Sequence, residues 1–148
     1  MAEVPFPKPC IFCEILAGRA EGSVVLRDEV CAVFVDIRPV NEGHLLVVPI
    51  EHGALLDELP ASTASHLMMV ARRVGSALRA SSLRCDGFNL LLADGEAAGQ
   101  EVFHCHLHVI PRFGGDGFGF RFAPDHGRLP PREELDRVAG EVGRHLEG

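Results

Sequence analysis

The sequence predicts an α+β protein: a mainly antiparallel sheet of five strands, one long helix and a C-terminal helix. Short valine- and leucine-rich segments alternate with turn residues. Most links between them are too short for the helical crossovers that parallel strands need. One long stretch has apolar residues at helical spacing.

Ile11 to Ala17 is a short apolar run that stops at Gly18, room for one or two helical turns. Ser23 to Arg27 and Val30 to Asp36 are valine-rich, part at Asp28-Glu29, and read as a hairpin. Arg38 to Gly43 is a turn-rich connector. His44 to Ile50 (HLLVVPI) is the third strand, and its Pro49 suggests a sheet edge or the strand end. Ser62 to Ala80 is the longest helix, with Leu67, Val70, Val74, Ala77 and Leu78 on one face and arginines on the other. Phe88 to Ala93 and Phe103 to Arg112 are the fourth and fifth strands. Arg132 to Leu146 is a terminal helix, with Leu135, Val138, Val142 and Leu146 recurring every three or four residues. All 148 residues are read as one domain, with a motif-bearing core over 10–112 and a C-terminal extension over 113–148.

The net charge of −7, with scattered basic residues, argues against nucleic-acid or anionic-membrane binding. The longest apolar stretch, 44–50, is too short to span a bilayer. The stretch MAEVPFPKPC has no apolar h-region of an export signal. Five cysteines, an odd count, with no such signal point to a reducing cytoplasm over a disulfide framework.

Residues 100–112 hold the densest chemistry: His104, His106 and His108 alternate with Cys105, Leu107 and Val109. On a strand the three imidazoles share one face, and His104 and His108 lie about 13 Å apart. Ligands of one zinc each sit about 2.0–2.3 Å from it, so all three cannot share an ion unless the strand bends. At least one is free for other work. A merely solvated face would be served by Lys, Thr or Glu.

Cys10 and Cys13 have a spacing that suits metal binding or a dithiol pair, although two small buried hydrophobes is the plainer reading. A zinc site needs two more ligands, and His52 and one triad histidine are the candidates. Just before the triad, Gly95 and Gly99 allow tight backbone with exposed N–H groups. Alone this is an ordinary hairpin loop; beside three histidines it is a phosphate seat.

Together these segments resemble the histidine triad family of nucleotide hydrolases and transferases, in its prokaryotic zinc-containing type. The resemblance rests on His104-Cys-His106-Leu-His108-Val-Ile, its lead-in Gly99-Gln100-Glu101-Val102 and the trailing Pro111-Arg112. Upstream it adds Cys10-Ile-Phe-Cys-Glu-Ile15, Phe34-Val-Asp36-Ile37 and Gly43-His44-Leu-Leu-Val-Val-Pro49. It spans about residues 10–112.

The resemblance implies the family's fold and a homodimer whose sheets join. It implies attack by His106 on the α-phosphorus of a purine nucleotide conjugate of AMP type, such as a phosphoramidate or dinucleoside polyphosphate. A nucleotidyl-histidine forms and water resolves it. Gln100, His108 and the loop N–H groups would stabilise the phosphoryl charge, and His44 would orient a histidine. Ile11, Phe12, Ile15, Phe34 and Ile37 would enclose the base and Asp36 would hold the ribose, with residues 99–102 beside the phosphate. Structural zinc would bind Cys10, Cys13, His52 and His104, with no catalytic metal. Ala93 departs from the family, which generally has Asn or Gln there.

Two rival readings stay open. A metalloenzyme with a catalytic His-x-His pair would lose activity to chelators. A non-catalytic nucleotide-binding protein would bind without turnover, and Ala93 favours it. His66, on a helix, is expected to face solvent, and His126 and His145 are not expected to be catalytic.

Overall fold

The computed structural model describes residues 9–146. The notable prolines Pro5 and Pro7 lie outside that range. The chain divides into two compact units, one through Gly117 and one from Phe118 onward.

In the first unit, helix α1 (Ile11–Leu16) precedes strands β1 (Val24–Arg27), β2 (Cys31–Val35) and β3 (Leu45–Pro49). The long helix α2 (Ala61–Ala80) follows, then β4 (Gly87–Leu91) and β5 (Leu107–Arg112). The five strands lie in the order β1-β2-β3-β5-β4, and every neighbouring pair is antiparallel. The α+β expectation holds, including the sheet of five strands.

The central strands are buried on both faces. Residues alternate sides along a strand, and two apolar clusters result. Cys31, Val33, Leu45, Val47, Leu107 and Val109 pack with Leu67, Val70, Val74 and Leu78 of α2. Each such helix side chain contributes roughly 1.5–3 kcal/mol on burial. Ala32, Phe34, Leu46 and Val48 face the other way and pack with Phe12 of α1, with Ile15 and Val102 at the margin. The Ser81 hydroxyl donates to the Leu78 carbonyl (2.7 Å) and closes the end of α2.

One expectation resolves between its alternatives and two need correction. Pro49 is the strand end, closing β3 within an interior strand and not at a sheet edge. Pairing between β3 and β5 stops at Val47 opposite Leu107, so no ladder bond needs the N–H that proline lacks. The fifth strand begins at Leu107, not Phe103. Beyond the end of β3, the Cys105 N–H turns to the Gly53 carbonyl (2.7 Å). His66 does not simply face solvent. Its Nε2 lies 2.7 Å from Asp28 Oδ2, joining α2 to the β1–β2 turn.

In the second unit, residues 118–131 are irregular and the Phe122 ring stacks on His126 at 3.8 Å. Helix α3 (Arg132–Arg144) follows, with Glu133 and Glu134 in its first turn and Arg144 in its last, as the helix dipole favours. Its apolar stripe of Leu135, Val138 and Val142 is exposed. Among the described residues, no helix is long and apolar enough to cross a membrane.

Candidate functional site

The alternation of the triad survives although β5 starts late. Cys105, Leu107 and Val109 all face α2. The imidazoles occupy the opposite side, where the Phe12 ring lies 5.8 Å from His104 and 5.0 Å from His106. His106 and His108 are 4.8 Å apart, ring to ring. The three histidines do separate into different environments, as their spacing demands.

His104 is completely buried. Its Nε2–H donates to the Pro49 carbonyl (2.7 Å), which leaves the Nδ1 lone pair free. That Nδ1 lies 3.4 Å from Cys10 Sγ, 3.6 Å from Cys13 Sγ and 3.1 Å from His52 Nδ1. Cys13 Sγ is 3.4 Å from His52 Nδ1. Tetrahedral zinc with bonds of about 2.0–2.3 Å places its ligand atoms roughly 3.3–3.8 Å apart. The three sulfur–nitrogen separations fall in that range and the nitrogen–nitrogen one, 3.1 Å, lies just under it, so the four side chains fit such an ion with a slight spreading of His52 and His104, and their soft thiolate and imidazole donors suit zinc. A zinc here would supply a structural cross-link between α1, the loop after β3 and the triad.

The other two histidines form a chain of fixed tautomers. A backbone N–H can only donate, so Val40 N–H binds His44 Nδ1 (3.1 Å). His44 must then carry its proton on Nε2, and it donates to His108 Nδ1 (2.8 Å). His108 therefore keeps an N–H at Nε2. His106 donates from Nδ1 to the His104 carbonyl (2.7 Å), which leaves its lone pair on Nε2. The result is one imidazole with a lone pair at Nε2 beside one imidazole with an N–H at Nε2. Val40, Pro49 and the His104 carbonyl act through the backbone, which no side-chain pattern reveals.

A metal could in principle be held by Asp36, His44 and His108, which also cluster. The separation of 2.8 Å between the two imidazole nitrogens is a hydrogen bond, shorter than two ligands of one ion adopt. Asp36 is half-buried; Oδ1 accepts the Arg38 N–H (2.8 Å) and Oδ2 lies 3.5 Å from His44 Nε2.

The glycine loop is held from within. Gly95 and Gly99 both have positive φ, +94° and +91°, which side-chain-bearing residues rarely adopt. Gln100 is buried, accepts the Gly95 N–H (2.8 Å) and donates to the carbonyls of Ala54 (2.7 Å) and Val102 (3.1 Å). Both amide hydrogens are thus spent on backbone. Gln100 positions the loop, and the expectation that its amide meets the phosphate is revised. Asp94 turns to the Leu56 N–H (2.8 Å). Glu101 pairs on the surface with Arg38 (2.7 Å).

Of the apolar residues expected around a base, Phe12 and Phe34 are buried edge to face, with centroids 5.3 Å apart. Ile15 and Val102 flank them. Ile11 is half-exposed and Ile37 is 91% exposed, so the chain does not gather these two into the same cluster.

Burial pushes the pKa of His44, His104 and His106 down. Burial, then the neighbouring His106 and His44, lowers His108 to about 4. An unfolded histidine titrates near 6.5. Between those values the unfolded chain binds a proton that the folded chain refuses. Stability therefore rises with pH across this window and is lost on acidification. The melting temperature is expected to fall as pH drops from 6.5 toward 4, less steeply in His108→Asn. Identical slopes for the two proteins would show that His108 is not held neutral.

Comparison with known proteins gives a consistent result. The HIT domain family matches residues 17–115. An uncharacterized HIT-like protein of Methanocaldococcus jannaschii is 41% identical over 90% of this chain and 98% of its own. An adenylylsulfatase of Arabidopsis thaliana is 31% identical over 93% of this chain and 69% of its own. An adenosine 5'-monophosphoramidase of Saccharomyces cerevisiae is 35% identical over 70% of this chain and 62% of its own. The crystal structure of a HIT family protein from Bacillus anthracis superposes with a TM-score of 0.85 at 38% identity, over 95% of this chain and 99% of that one. A zinc-bound histidine triad protein from Mycobacterium smegmatis gives 0.73 at 40% identity, over 94% and 96%.

Proposed function

The chain belongs to the histidine triad family, and on that premise we propose that it hydrolyses a purine nucleotide conjugate at the α-phosphorus through a nucleotidyl-histidine. The observation that carries this reading is the tautomer assignment: His106 presents a lone pair at Nε2, and His108 an N–H at Nε2. Relatives named as an adenylylsulfatase and an adenosine 5'-monophosphoramidase support a nucleoside phosphoramidate or a phosphoanhydride-type conjugate as the substrate class.

His106 Nε2 bonds to phosphorus, and the P–N or P–O bond to the leaving group breaks. The leaving group departs with the electron pair and is protonated from solvent. Burial lowers the pKa of the His106 imidazole below its ordinary value, so it is neutral and nucleophilic at pH 7. His108 Nε2–H stabilises charge on the phosphoryl oxygens, and Gln100 holds the loop beside it in shape through the Gly95 N–H. Water then attacks phosphorus, releases its proton to solvent and returns the electron pair to Nε2. Asp36 holds the ribose, and Phe12, Ile15 and Phe34 support the base. Cys10, Cys13, His52 and His104 hold a structural zinc that keeps α1 in place.

This reading includes a homodimer in the cytoplasm. Exposed Leu90 and Leu91 on the edge strand β4, with exposed Met68 and Met69 on α2, support a joined surface. Incubation with a panel of nucleoside phosphoramidates, adenylyl sulfate and dinucleoside polyphosphates tests the reading. Release of nucleoside monophosphate is expected. Tight binding without release from any conjugate would favour the non-catalytic alternative.

Ala93 bears on the rate. It is buried beside the loop, and a methyl offers no hydrogen bond. Neither neighbour fills the gap, because Asp94 and Gln100 are committed to backbone groups. A bond to a charged group is worth about 1.5–3 kcal/mol, or roughly ten- to a hundredfold if made only in the transition state. Ala93→Asn is expected to raise kcat/KM on phosphoramidates by that factor, with a smaller change in monophosphate affinity. Equal or lower activity in a folded variant would show a compensated substitution.

A further inference from the structure

We infer that the groove between Glu21 and Ile37 receives the outer edge of the base, and that Glu21 makes the site select guanine over adenine. The inference rests on the nucleotide reading above and deepens it.

The groove has a volume of about 450 Å³ and is lined by Glu21, Gly22, Ser23 and Ile37. Ile37 follows Asp36 in the chain, and Ile15, which packs at the margin of the Phe12–Phe34 cluster, borders the groove at Gly22. The Ser23 carbonyl accepts the Val35 N–H (3.0 Å), which fixes the Glu21–Ser23 segment alongside the end of β2. Ile15 underlies it: a Cβ at Gly22 would come within 2.6 Å of Ile15 Cγ2. Any side chain at 22 would displace Ile15 or fill the groove, so glycine keeps both in place. Ile37 is 91% exposed, a large aliphatic side chain with nothing on it. Among the described residues, neither the Glu21 carboxylate nor the Ser23 hydroxyl has a hydrogen-bond or ion-pair partner.

An aliphatic wall with a free carboxylate and hydroxyl on its rim matches a flat heterocycle with donors along its edge. Guanine offers two parallel donors, N1–H and the exocyclic N2 amine, spaced to meet both oxygens of one carboxylate. Adenine places a lone pair at N1 beside its N6 amine, so one carboxylate oxygen meets a donor and the other meets an acceptor. A carboxylate has no hydrogen to offer that lone pair. Charge-assisted paired bonds are strong and directional, and a site that makes them rejects the analogue lacking the donor. The rim is open to water, so the expected preference is about tenfold, at the lower end for a hydrogen bond to a charged group.

The test is calorimetric titration of the full chain with GMP, IMP and AMP. GMP is expected to bind about tenfold tighter than AMP, with IMP between them because it keeps N1–H and lacks the N2 amine. Glu21→Gln should bring GMP down to the AMP level; the position is exposed, and circular dichroism checks that the variant folds. Equal affinity for GMP and AMP in the natural chain, or a GMP preference that survives Glu21→Gln, would overturn the assignment of Glu21 and leave the nucleotide site standing. Failure of all three nucleotides to bind the folded chain would overturn the nucleotide reading and this inference with it.

Discussion

His106→Ala is expected to lose at least about a thousandfold in kcat while it still binds nucleoside monophosphate. The loss corresponds to roughly 4 kcal/mol of barrier, the scale on which removal of a covalent nucleophile acts. Binding should survive because Asp36, His108 and the glycine loop are held by other partners. Asp36 is fixed by Arg38, His108 by His44, and the loop by Gln100. Truncation leaves space beside Phe12, whose ring packs 5.0 Å from His106. His106→Asn fills more of that space and should be equally inactive. Rapid quench of the natural protein with a phosphorus-labelled conjugate should trap label on the chain, and neither variant should trap any. Substantial turnover by either variant would sink the covalent mechanism.

Much of this site could be read from the chain because it depends on short-range periodicity. Alternation along residues 104–109 required the imidazoles on one side and Cys105, Leu107 and Val109 on the other, wherever the ladder began. The sum of zinc bond lengths also forced the three histidines apart, whichever of them went to metal. What could not be read depends on backbone partners distant in sequence. The boundary of β5 is set by where β3 runs out of N–H donors at Pro49, a fact about a strand 55 residues away from His104 in the chain. The family resemblance implied that Gln100 meets the phosphate. Its role changed because the carbonyl of Ala54 lies within reach, and only the folded loop shows that. His66 illustrates the same limit: helical phase placed it near the surface, but the turn carrying Asp28 packs against it. Ile37, which the resemblance places against the base, is left open by the chain itself.

Removal of zinc is expected to cost the fold more than any single surface substitution. One zinc per chain should be found in protein purified without chelators. With free zinc a thousandfold above its dissociation constant, binding stabilises the folded state by about 4 kcal/mol. For a chain of this size that corresponds to a melting temperature lower by roughly 10 °C in Cys13→Ser. The reason lies in α1. A helix of six residues is too short to hold itself, and its N-cap, Cys10, makes no side-chain capping bond. It is held instead by the buried Phe12 ring, by Ile15 and Leu16 at the margin of the same cluster, by Arg27 on the Leu16 carbonyl (2.7 Å), and by the thiol pair that meets His52 and His104. Loss of the metal should therefore loosen Phe12, which touches both His104 and His106, and nucleoside monophosphate affinity should fall together with thermal stability. A purely peripheral metal would lower the melting temperature and leave affinity unchanged. If the purified chain holds no metal and Cys13→Ser melts like the natural protein, the two cysteines are core residues, and α1 is held by the packing of Phe12, Ile15 and Leu16 without a metal.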